Sequence, residues 1–367
     1  MKLLVFSSML FVIGGFYWKN NQTPATLKQG GNPKNIILII GDGTGLAQIS
    51  AEFYKNNLRS SLESFPVIGF QKTYSADNLV TDSAASATAI ASGQKTNNNV
   101  LGLDKNGKPL ESILEEALNS GYAAGMVVTS SIQHATPGGF VAHRQARNLY
   151  EEITEDILNS NLDLFIGGGK QYFDRRETDN RNLLDSLKRK GFQIYDFFNN
   201  DINSIVPDPN KKFAFFTAEN QPLPAFQGRD YLPKAAKLAA NFLKLRSDKG
   251  FFLMIEGSQI DWTCHANQVE PMYSELEDLE KTIEQVLEFA KKNGETLVIV
   301  TADHETGGLG LNTGTARMLS PKFTTNGHTA TMVPVFAYGP KSELFRGIYE
   351  NTAIYYKMKA AFGFSEN

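Results

Sequence analysis

Seven short and almost uninterrupted apolar runs constrain the fold of this chain more than any other feature of its sequence. The runs are Ile36–Ile40, Gly125–Thr129, Asp163–Ile166, Phe213–Phe216, Phe251–Ile255, Thr296–Thr301 and Val333–Ala337. Strands that are apolar on both faces are typical of parallel sheets covered by helices. Helical patterns separate the runs, at Leu110–Asn119, Tyr231–Leu245, Met272–Lys292 and Ile348–Phe362. The alternation predicts an α/β fold around a parallel or mixed sheet.

Two segments depart from this alternation. Residues 167–224 are richer in Asn, Asp and Arg, which favours an insertion at an edge of the sheet. The stretch between His304 and His328 is rich in Gly, Thr and Asn and predicts a short loop excursion. The sequence contains no internal repeat, so we expect residues 34–367 to form one domain.

The composition excludes several classes of protein. Thirty-six basic residues stand against 39 acidic ones, whereas nucleic-acid-binding proteins usually carry a basic excess, so we expect no nucleic-acid-binding surface. Cys264 is the only cysteine, which excludes internal disulfides and multi-cysteine metal sites. We interpret it as a small buried apolar residue and not as a metal ligand.

The first 19 residues predict export. Lys2 precedes the mostly apolar run Leu3–Trp18, which is shorter than the roughly 20 residues of a membrane-spanning helix and resembles a secretory signal. No clear cleavage site of small residues follows, so an uncleaved N-terminal anchor remains an alternative. Residues 20–33 resemble a flexible linker. We therefore expect a periplasmic or secreted protein.

The first apolar run ends in a glycine-rich turn that carries a carboxylate, Gly41-Asp42-Gly43-Thr44-Gly45. A dinucleotide fingerprint would need a third glycine where Leu46 stands. Asp42 would also place a negative charge where a pyrophosphate binds. We favour a ligand that bridges divalent cations, with a simple tight turn as the alternative.

A run of small residues, from Val80 to Ala89, contains the candidate nucleophile. It predicts a tightly packed helix that begins at or just after Ser83. A serine at a helix start can present its hydroxyl to a phosphate held by the helix amides. The alternative is an ordinary helix cap made by Asp82 or Ser83. Ser83 lies in no Gly-x-Ser-x-Gly motif, which disfavours a Ser-His-Asp hydrolase.

Carboxylates and histidines follow two further apolar runs. Glu256 ends one run, and Asp261 and His265 stand four residues apart, one helical turn, so both lie on the same face. Asp303-His304 follows a second run, and His328 lies in a loop next to Gly327. Carboxylate and imidazole together form a typical zinc ligand pair. Because ligands bind at the carboxyl edge of parallel sheets, we expect these groups to converge there.

Another apolar run leads into His134 and Thr136, with two arginines downstream. A guanidinium is a natural bidentate ligand for phosphate oxygens. Arg144 and Arg147 are both candidates, and either could instead be a solvated charge on a helix.

Together these residues resemble the alkaline phosphatase family. The matching motifs are GDGTG, VTDSAASATA, HATPGGFVAHRQAR, EGSQIDWTCH, VTADHE and NGHT, and the similarity runs from about Lys34 to Phe362. The resemblance implies a three-layer αβα sandwich with a largely parallel central sheet and a small crown insertion, assembled as a homodimer. It also implies hydrolysis of phosphate monoesters through a phosphoserine, which releases inorganic phosphate and an alcohol.

The resemblance further implies two zinc ions and one magnesium ion per subunit. Ser83 resembles the nucleophile, and Arg147 the phosphate-binding arginine, which settles the choice over Arg144; His143 matches no ligand position. The implied ligands are Asp42, Asp303 and His304 for the zinc that activates the nucleophile, Asp261, His265 and His328 for the zinc at the leaving group, and Asp42, Thr136 and Glu256 for magnesium, with His134 nearby.

Two positions depart from the enterobacterial type of the family, which has Asp and Lys where this chain has His134 and Trp262. His134 could draw zinc or cobalt into the third site, or contact magnesium only through water. Loss of the lysine removes a positive charge, so the product phosphate would bind less tightly. The short span between His304 and His328 implies a reduced crown at the dimer interface.

Three other functions fit parts of this pattern. A sulfatase on the same scaffold would need Pro and Arg after the nucleophile, and both are missing after Ser83. Phosphodiesterase relatives generally lack the third metal site, so Glu256 and Thr136 favour a monoesterase. An exported protein that only binds metal or phosphate is the non-enzymatic alternative.

Overall fold

The centre of the fold is a ten-stranded sheet. The structure is a computed structural model that describes residues 31–315 and 318–365. The strands are β1 (Asn35–Gly41), β2 (Val67–Lys72), β3 (Ala123–Ser131), β4 (Leu164–Gly168), β5 (Phe192–Asp196), β6 (Lys212–Phe216), β7 (Phe251–Gly257), β8 (Thr296–Thr301), β9 (Glu305–Thr306), β10 (Gly310–Thr315), β11 (Met318–Lys322), β12 (His328–Thr329), β13 (Val333–Tyr338) and β14 (Gly347–Glu350). The order in the large sheet is β14-β2-β13-β8-β1-β7-β3-β4-β6-β5. β13 runs antiparallel to both of its neighbours, and the other pairs are parallel.

Helices cover both faces of this sheet. They are α1 (Leu46–Lys55), α2 (Ser83–Ser92), α3 (Ile113–Asn119), α4 (Ala135–Val141), α5 (Tyr150–Asn159), α6 (Gln171–Asp174), α7 (Leu183–Arg189), α8 (Leu232–Arg246), α9 (Gln259–His265), α10 (Val269–Asn293) and α11 (Thr352–Phe362). Alternate residues of β1 enter two separate cores. Ile36 and Leu38 pack on the face covered by α2 and α11, and Ile37 packs on the face covered by α8 and α10. The predicted three-layer αβα sandwich is thus confirmed.

All seven apolar runs form strands of the large sheet, and most of the predicted helices are present. The sequence analysis did not identify β2, β5 or β14, which lie at or next to an edge of the sheet. β2 alternates between buried and partly exposed residues, and Ile68 is 51% exposed. Edge strands have one solvated side, so they lack the continuous apolar run that marks a central strand.

Three helix predictions had wrong starts, and one of them, Met272–Lys292, begins earlier than expected, at Val269. The predicted helix Ile348–Phe362 begins only at Thr352, because its first residues form β14 beside β2. The predicted helix Leu110–Asn119 begins at Ile113, where the preceding Ser112 caps it: the Ser112 hydroxyl accepts from the Glu115 amide, and the Glu115 carboxylate accepts from the Ser112 amide. This reciprocal capping box fixes the helix start.

The two unusual segments contain more regular structure than the sequence indicated. Residues 167–224 include β5 and β6, which form one edge of the sheet as expected, and the short helices α6 and α7. The predicted loop excursion between His304 and His328 contains the antiparallel hairpin β10–β11. Residues 1–19 and most of the linker lie outside the described residues. Within the described part of the chain, no helix is long and apolar enough to cross a membrane.

Four adjacent parallel strands position the candidate site. β3, β7, β1 and β8 lie side by side at the centre of the sheet. Ile40 of β1 is level with Glu256 of β7 on one side and with Thr301 of β8 on the other. The residues that follow these strands therefore emerge together at the carboxyl edge of the sheet.

Candidate metal centre

The first cluster at this edge, here called the inner group, consists of Asp42, Asp303 and His304. All three side chains are fully buried. His304 Nε2 lies 3.5 Å from Asp42 Oδ1 and 3.2 Å from Asp303 Oδ2. The Ser83 hydroxyl also lies 3.2 Å from His304 Nε2. The structure therefore places the candidate nucleophile against the inner group.

The outer group consists of Asp261, His265 and His328. Asp261 and His265 lie one turn apart on α9, and Asp261 Oδ1 is 3.3 Å from His265 Nε2. His328 comes from β12, and its Nε2 lies 3.5 Å from Asp261 Oδ1 and 3.0 Å from His265 Nε2. The His304 and His328 rings stack with centroids 3.5 Å apart. The inner and outer groups are thus adjacent.

The third group consists of Asp42, His134 and Glu256, so Asp42 is shared with the inner group. Thr136, in the first turn of α4, is fully buried, and its hydroxyl has no hydrogen-bond partner in the described part of the chain. The His134 ring packs edge-on against Trp262, with centroids 5.5 Å apart. The two residues that depart from the enterobacterial type are therefore in contact.

Backbone carbonyls orient two of the imidazole rings. His328 Nδ1 lies 2.8 Å from the Thr81 carbonyl, and His265 Nδ1 lies against the Asn326 carbonyl. Because a carbonyl oxygen can only accept, each Nδ1 carries the proton and donates it. In a neutral ring, as in a metal site, each Nε2 is then the lone pair left to bind a metal, and it faces Asp261. Such outer contacts fix the tautomer of metal-ligating histidines in known sites.

The electrostatics of the centre favour bound cations. Burial raises the pKa of Asp42 well above its ordinary value, and the charges of Asp303 and Asp261 raise it further. Burial likewise raises the pKa of Glu256 to about 7, and burial lowers the pKa of His134 to about 3. A buried carboxylate without a compensating charge is unfavourable, and this cluster places several of them together.

Asp261 and Asp303 are held ionised by their histidines. Burial opposes ionisation of Asp261, but the His265 hydrogen bond and the charges of His304 and His328 outweigh it, so the Asp261 pKa lies below its ordinary value. Burial also opposes ionisation of Asp303, and the charge of His304 outweighs it and lowers that pKa. Positive charge on the neighbouring imidazoles thus favours the ionised form of both carboxylates, as a bound cation would.

The donor set fits divalent metal ions. Several buried ligand atoms have no hydrogen-bond partner among the described residues, namely both carboxylate oxygens of Asp42, Asp303 Oδ2, Glu256 Oε1, His134 Nδ1 and Thr136 Oγ1. The inner and outer groups each combine carboxylate oxygen with imidazole nitrogen, which suits zinc. The third group is richer in oxygen, which suits magnesium, although His134 adds a nitrogen.

The structure assigns the cap of α2 to Asp82 and leaves the Ser83 hydroxyl free of that role. Ser83 is the first residue of α2, and Asp82 is its cap, because Asp82 Oδ1 accepts from the Ala85 amide at 3.0 Å. Arg147 Nη1 donates to the other oxygen, Asp82 Oδ2, also at 3.0 Å. The guanidinium of Arg147 is therefore held beside Ser83.

The structure shows that the two candidate arginines have different partners. Arg144 makes two hydrogen bonds to the Asp156 carboxylate, at 2.7 and 2.6 Å, and is occupied there. His143 lies 2.8 Å from the Gly102 carbonyl and 3.1 Å from Glu115, away from the three groups. Cys264 is buried, as expected.

Sequence reasoning missed two residues that contact this centre. Thr306 lies 2.5 Å from Asp261 Oδ1 and 3.2 Å from His304 Nδ1. Asp82 was expected only as a helix cap, yet it also pairs with Arg147. In the sequence, only the position of Asp82 one residue before the candidate nucleophile could have indicated this contact. Thr306 could have been suspected from its place two residues after His304.

The chain was compared with known proteins. The alkaline phosphatase family model matches residues 33–323 and 315–364. Alkaline phosphatase 3 of Bacillus subtilis (strain 168) is 32% identical, over 88% of this chain and 87% of that protein. Alkaline phosphatase of Escherichia coli (strain K12) is 31% identical, over 90% of this chain and 86% of that protein.

Solved structures give the same result. The alkaline phosphatase from the Antarctic bacterium TAB5 is 42% identical, with a TM-score of 0.87, over 92% of this chain and 99% of that chain. A variant of that enzyme, in which one histidine is replaced by aspartate, has magnesium bound in its M3 site.

Proposed function

The chain belongs to the alkaline phosphatase family, and from that premise we propose how its own residues hydrolyse phosphate monoesters. The observation that carries the proposal is the position of the Ser83 hydroxyl. It lies at the start of a buried helix, 3.2 Å from His304 Nε2, beside carboxylate oxygens that have no protein partner in the described residues.

We propose two zinc ions, held by the inner and outer groups, and one magnesium ion, held by Asp42, Glu256 and Thr136. When bound, these cations would neutralise the buried carboxylates and lower the pKa of a hydroxyl or water beside them. His134 leaves the identity of the third metal open to zinc or cobalt. The magnesium reported in the M3 site of the TAB5 variant supports a third metal site in the family.

Ser83 Oγ is the nucleophile in this proposal. Ser83 Oγ loses its proton and forms a bond to phosphorus while the bond from phosphorus to the alcohol oxygen breaks; that oxygen takes up a proton, which gives phosphoserine and the free alcohol. Water then loses a proton and attacks this phosphorus, the bond to Ser83 Oγ breaks, Ser83 Oγ takes up a proton, and inorganic phosphate leaves. A fixed serine hydroxyl converts one difficult displacement into two easier ones.

Arg147 and α2 bind the other phosphate oxygens. The amino end of α2, where Ser83 is the first residue, favours an anion there. Among the described residues, Arg147 donates to Asp82 through Nη1, and its remaining donors would be available for a phosphate. These donors would stabilise the charge that spreads over the phosphate oxygens during transfer.

The test is replacement of Ser83 with alanine. Ser83→Ala should abolish trapping of a phosphoenzyme from an aryl phosphate while metal content stays as in the unmodified protein. Ser92→Ala is the matched control, because Ser92 ends the same helix and its hydroxyl bonds only the Thr88 carbonyl. Undiminished phosphoenzyme in Ser83→Ala would contradict the role of Ser83.

A phosphodiesterase is the rival enzyme, and the third group argues against it. Asp42 and Glu256 bring carboxylate oxygens together, with the buried Thr136 hydroxyl beside Glu256, and a third metal of a monoesterase would need such oxygens. Rates on an aryl phosphate monoester and the matching diester separate the two. We expect the monoester to be hydrolysed faster, and faster turnover of the diester would favour the rival.

We also propose that the protein is exported and acts as a homodimer. The apolar segment Leu3–Trp18 supports export, and membership of the family supports the dimer. Fractionation of the producing cell, with the mass of the mature chain, tests the first proposal. Light scattering coupled to gel filtration tests the second, since a monomeric mass would contradict it.

A further inference from the structure

We infer that Thr306 is a positioning residue that couples the inner and outer groups; the inference rests on the proposed function and extends it. Thr306 is fully buried on β9, two residues after His304. Its hydroxyl oxygen lies 2.5 Å from Asp261 Oδ1 and 3.2 Å from His304 Nδ1. A single hydroxyl therefore contacts a ligand of each group.

The hydrogens of this contact can be assigned from chemistry alone. A carboxylate only accepts, so the single hydroxyl hydrogen of Thr306 goes to Asp261. The Thr306 oxygen must then accept the remaining bond, which comes from the Nδ1 hydrogen of His304. With the proton on Nδ1, Nε2 of the neutral ring is the lone pair available to a metal, and Nε2 is the atom that faces Asp42, Asp303 and Ser83.

The backbone of Thr306 is fixed by three other parts of the centre. Its amide donates to the Gly43 carbonyl at 3.1 Å, next to Asp42. Its carbonyl accepts from Gln48 Nε2 at 2.8 Å. It also pairs with His328 in the β9–β12 ladder. The hydroxyl is thus held in place from the segments that carry Asp42 and His328.

The glycine-rich turn leaves room for this hydroxyl. A Cβ on Gly43 would lie 2.8 Å from Thr306 Oγ1 and 2.9 Å from Asp261 Cα, and the Gly43 φ of +70° also favours glycine. Because Gly43 has no Cβ, the GDGTG turn can approach both Thr306 and Asp261 closely.

Loss of the hydroxyl should act on both groups at once. Asp261 would lose a donor, and the Nδ1 hydrogen of His304 would lose its acceptor, so the ring could carry its proton on Nε2, facing the metal ligands. Contacts of this kind around metal ligands typically change metal affinity by about 10- to 100-fold. We expect a loss in that range in Thr306→Val, which keeps the shape of the side chain.

The experiment compares Thr306→Val with Thr306→Ser in the full-length protein. Zinc affinity is measured by competition with a coloured chelator, together with the zinc content after dialysis and kcat/KM on an aryl phosphate. Thr282→Val is the matched control, since Thr282 is also fully buried but its hydroxyl bonds only the Asp278 carbonyl within α10. Thr306→Ala provides a second variant without a hydroxyl if the valine variant folds poorly.

The inference requires that both variants without the hydroxyl release both zinc ions more readily, while Thr306→Ser and Thr282→Val retain them as the unmodified protein does. Unchanged zinc affinity in Thr306→Val, or an equal loss in Thr306→Ser, would overturn the inference and leave the proposed function intact. Failure of the unmodified protein to bind zinc or to hydrolyse the ester would contradict the proposed function itself.

Discussion

The inner and outer groups contain the same kinds of ligand but differ in how the fold holds them. Asp42, Asp303 and His304 follow adjacent strands of the sheet and are completely buried. In the outer group, the His265 side chain is 38% exposed and lies at the last residue of α9, while His328 lies in a two-residue strand. The sheet thus preorganises the inner group, and the outer group depends on shorter, more accessible elements.

The two groups also differ in what they contact. The inner group lies against Ser83 and shares Asp42 with the third group, so it links the nucleophile to every other ligand. In the proposed reaction, the alcohol would leave and water would enter at the more accessible outer group. We therefore expect the outer metal to exchange more readily than the inner one.

The largest effect should come from the shared carboxylate. Asp42→Asn removes a ligand charge from the inner and the third groups together, and we expect kcat/KM to fall by at least about 1,000-fold, since a catalytic metal contributes several kcal/mol. Steady-state kinetics and metal analysis measure the loss. Asp248→Asn, at an exposed position, is the control and should retain activity. Near-normal activity in Asp42→Asn would contradict the claim that the inner group, through its shared carboxylate, is the more important of the two groups for activity.

A smaller effect on activity should distinguish the inner from the outer group, through variants of one histidine in each. His265→Ala should weaken the outer metal by at least about 100-fold, because even contacts beyond the ligands change affinity by 10- to 100-fold, and excess zinc should restore part of the activity. His304→Ala should lose the inner metal, and excess zinc should not restore activity, because the inner site is closed. Metal content and zinc titration of both variants test this. Equal rescue of both would show that the groups do not differ.

The smallest effect concerns a buried carboxylate outside the centre, Glu52 in α1. Glu52 is 7% exposed, and its Oε2 has no partner within the described residues, but no histidine stands near it among the residues that line its pocket. Burial, together with the charges of Glu280 and Glu277, raises the pKa of Glu52 to about 7. Glu52 and Asp42 are both buried carboxylates with a raised pKa, but only Asp42 has histidines and other metal-ligand candidates beside it.

The raised pKa of Glu52 sets the sign of its effect on stability. Between the ordinary pKa of 4.5 and about 7 the folded state binds more protons than the unfolded state, so stability is lost as the pH rises through this window. The stability gained by Glu52→Gln should be larger at about pH 8.5 than at about pH 5.5 by roughly 2 kcal/mol. Urea unfolding of metal-free protein measures this. The exposed Glu284→Gln is the control, and a pH-independent gain in Glu52→Gln would contradict the expectation.

Much of the central sheet could be predicted from the sequence because its central strands are buried on both faces. Strand β14 at one edge and its neighbour β2 could not, since their patterns alternate or are short. Most of the predicted ligand residues lie together because they follow a strand or share a helical turn, and such placement can be read locally; His328, in the short strand β12, is the exception. The contact of Thr306 with Asp261 joins positions 45 residues apart, and only the folded chain reveals it.

The central claim is that buried carboxylates and imidazoles from separate segments hold metal ions around the Ser83 hydroxyl. Anomalous scattering at the zinc edge, from crystals of protein purified with zinc and magnesium, tests it most directly. We predict zinc peaks within the inner and the outer groups, both beside Ser83, and a separate ion between Asp42, Glu256 and Thr136. Crystals grown under these conditions without anomalous density among these ligands would contradict the account.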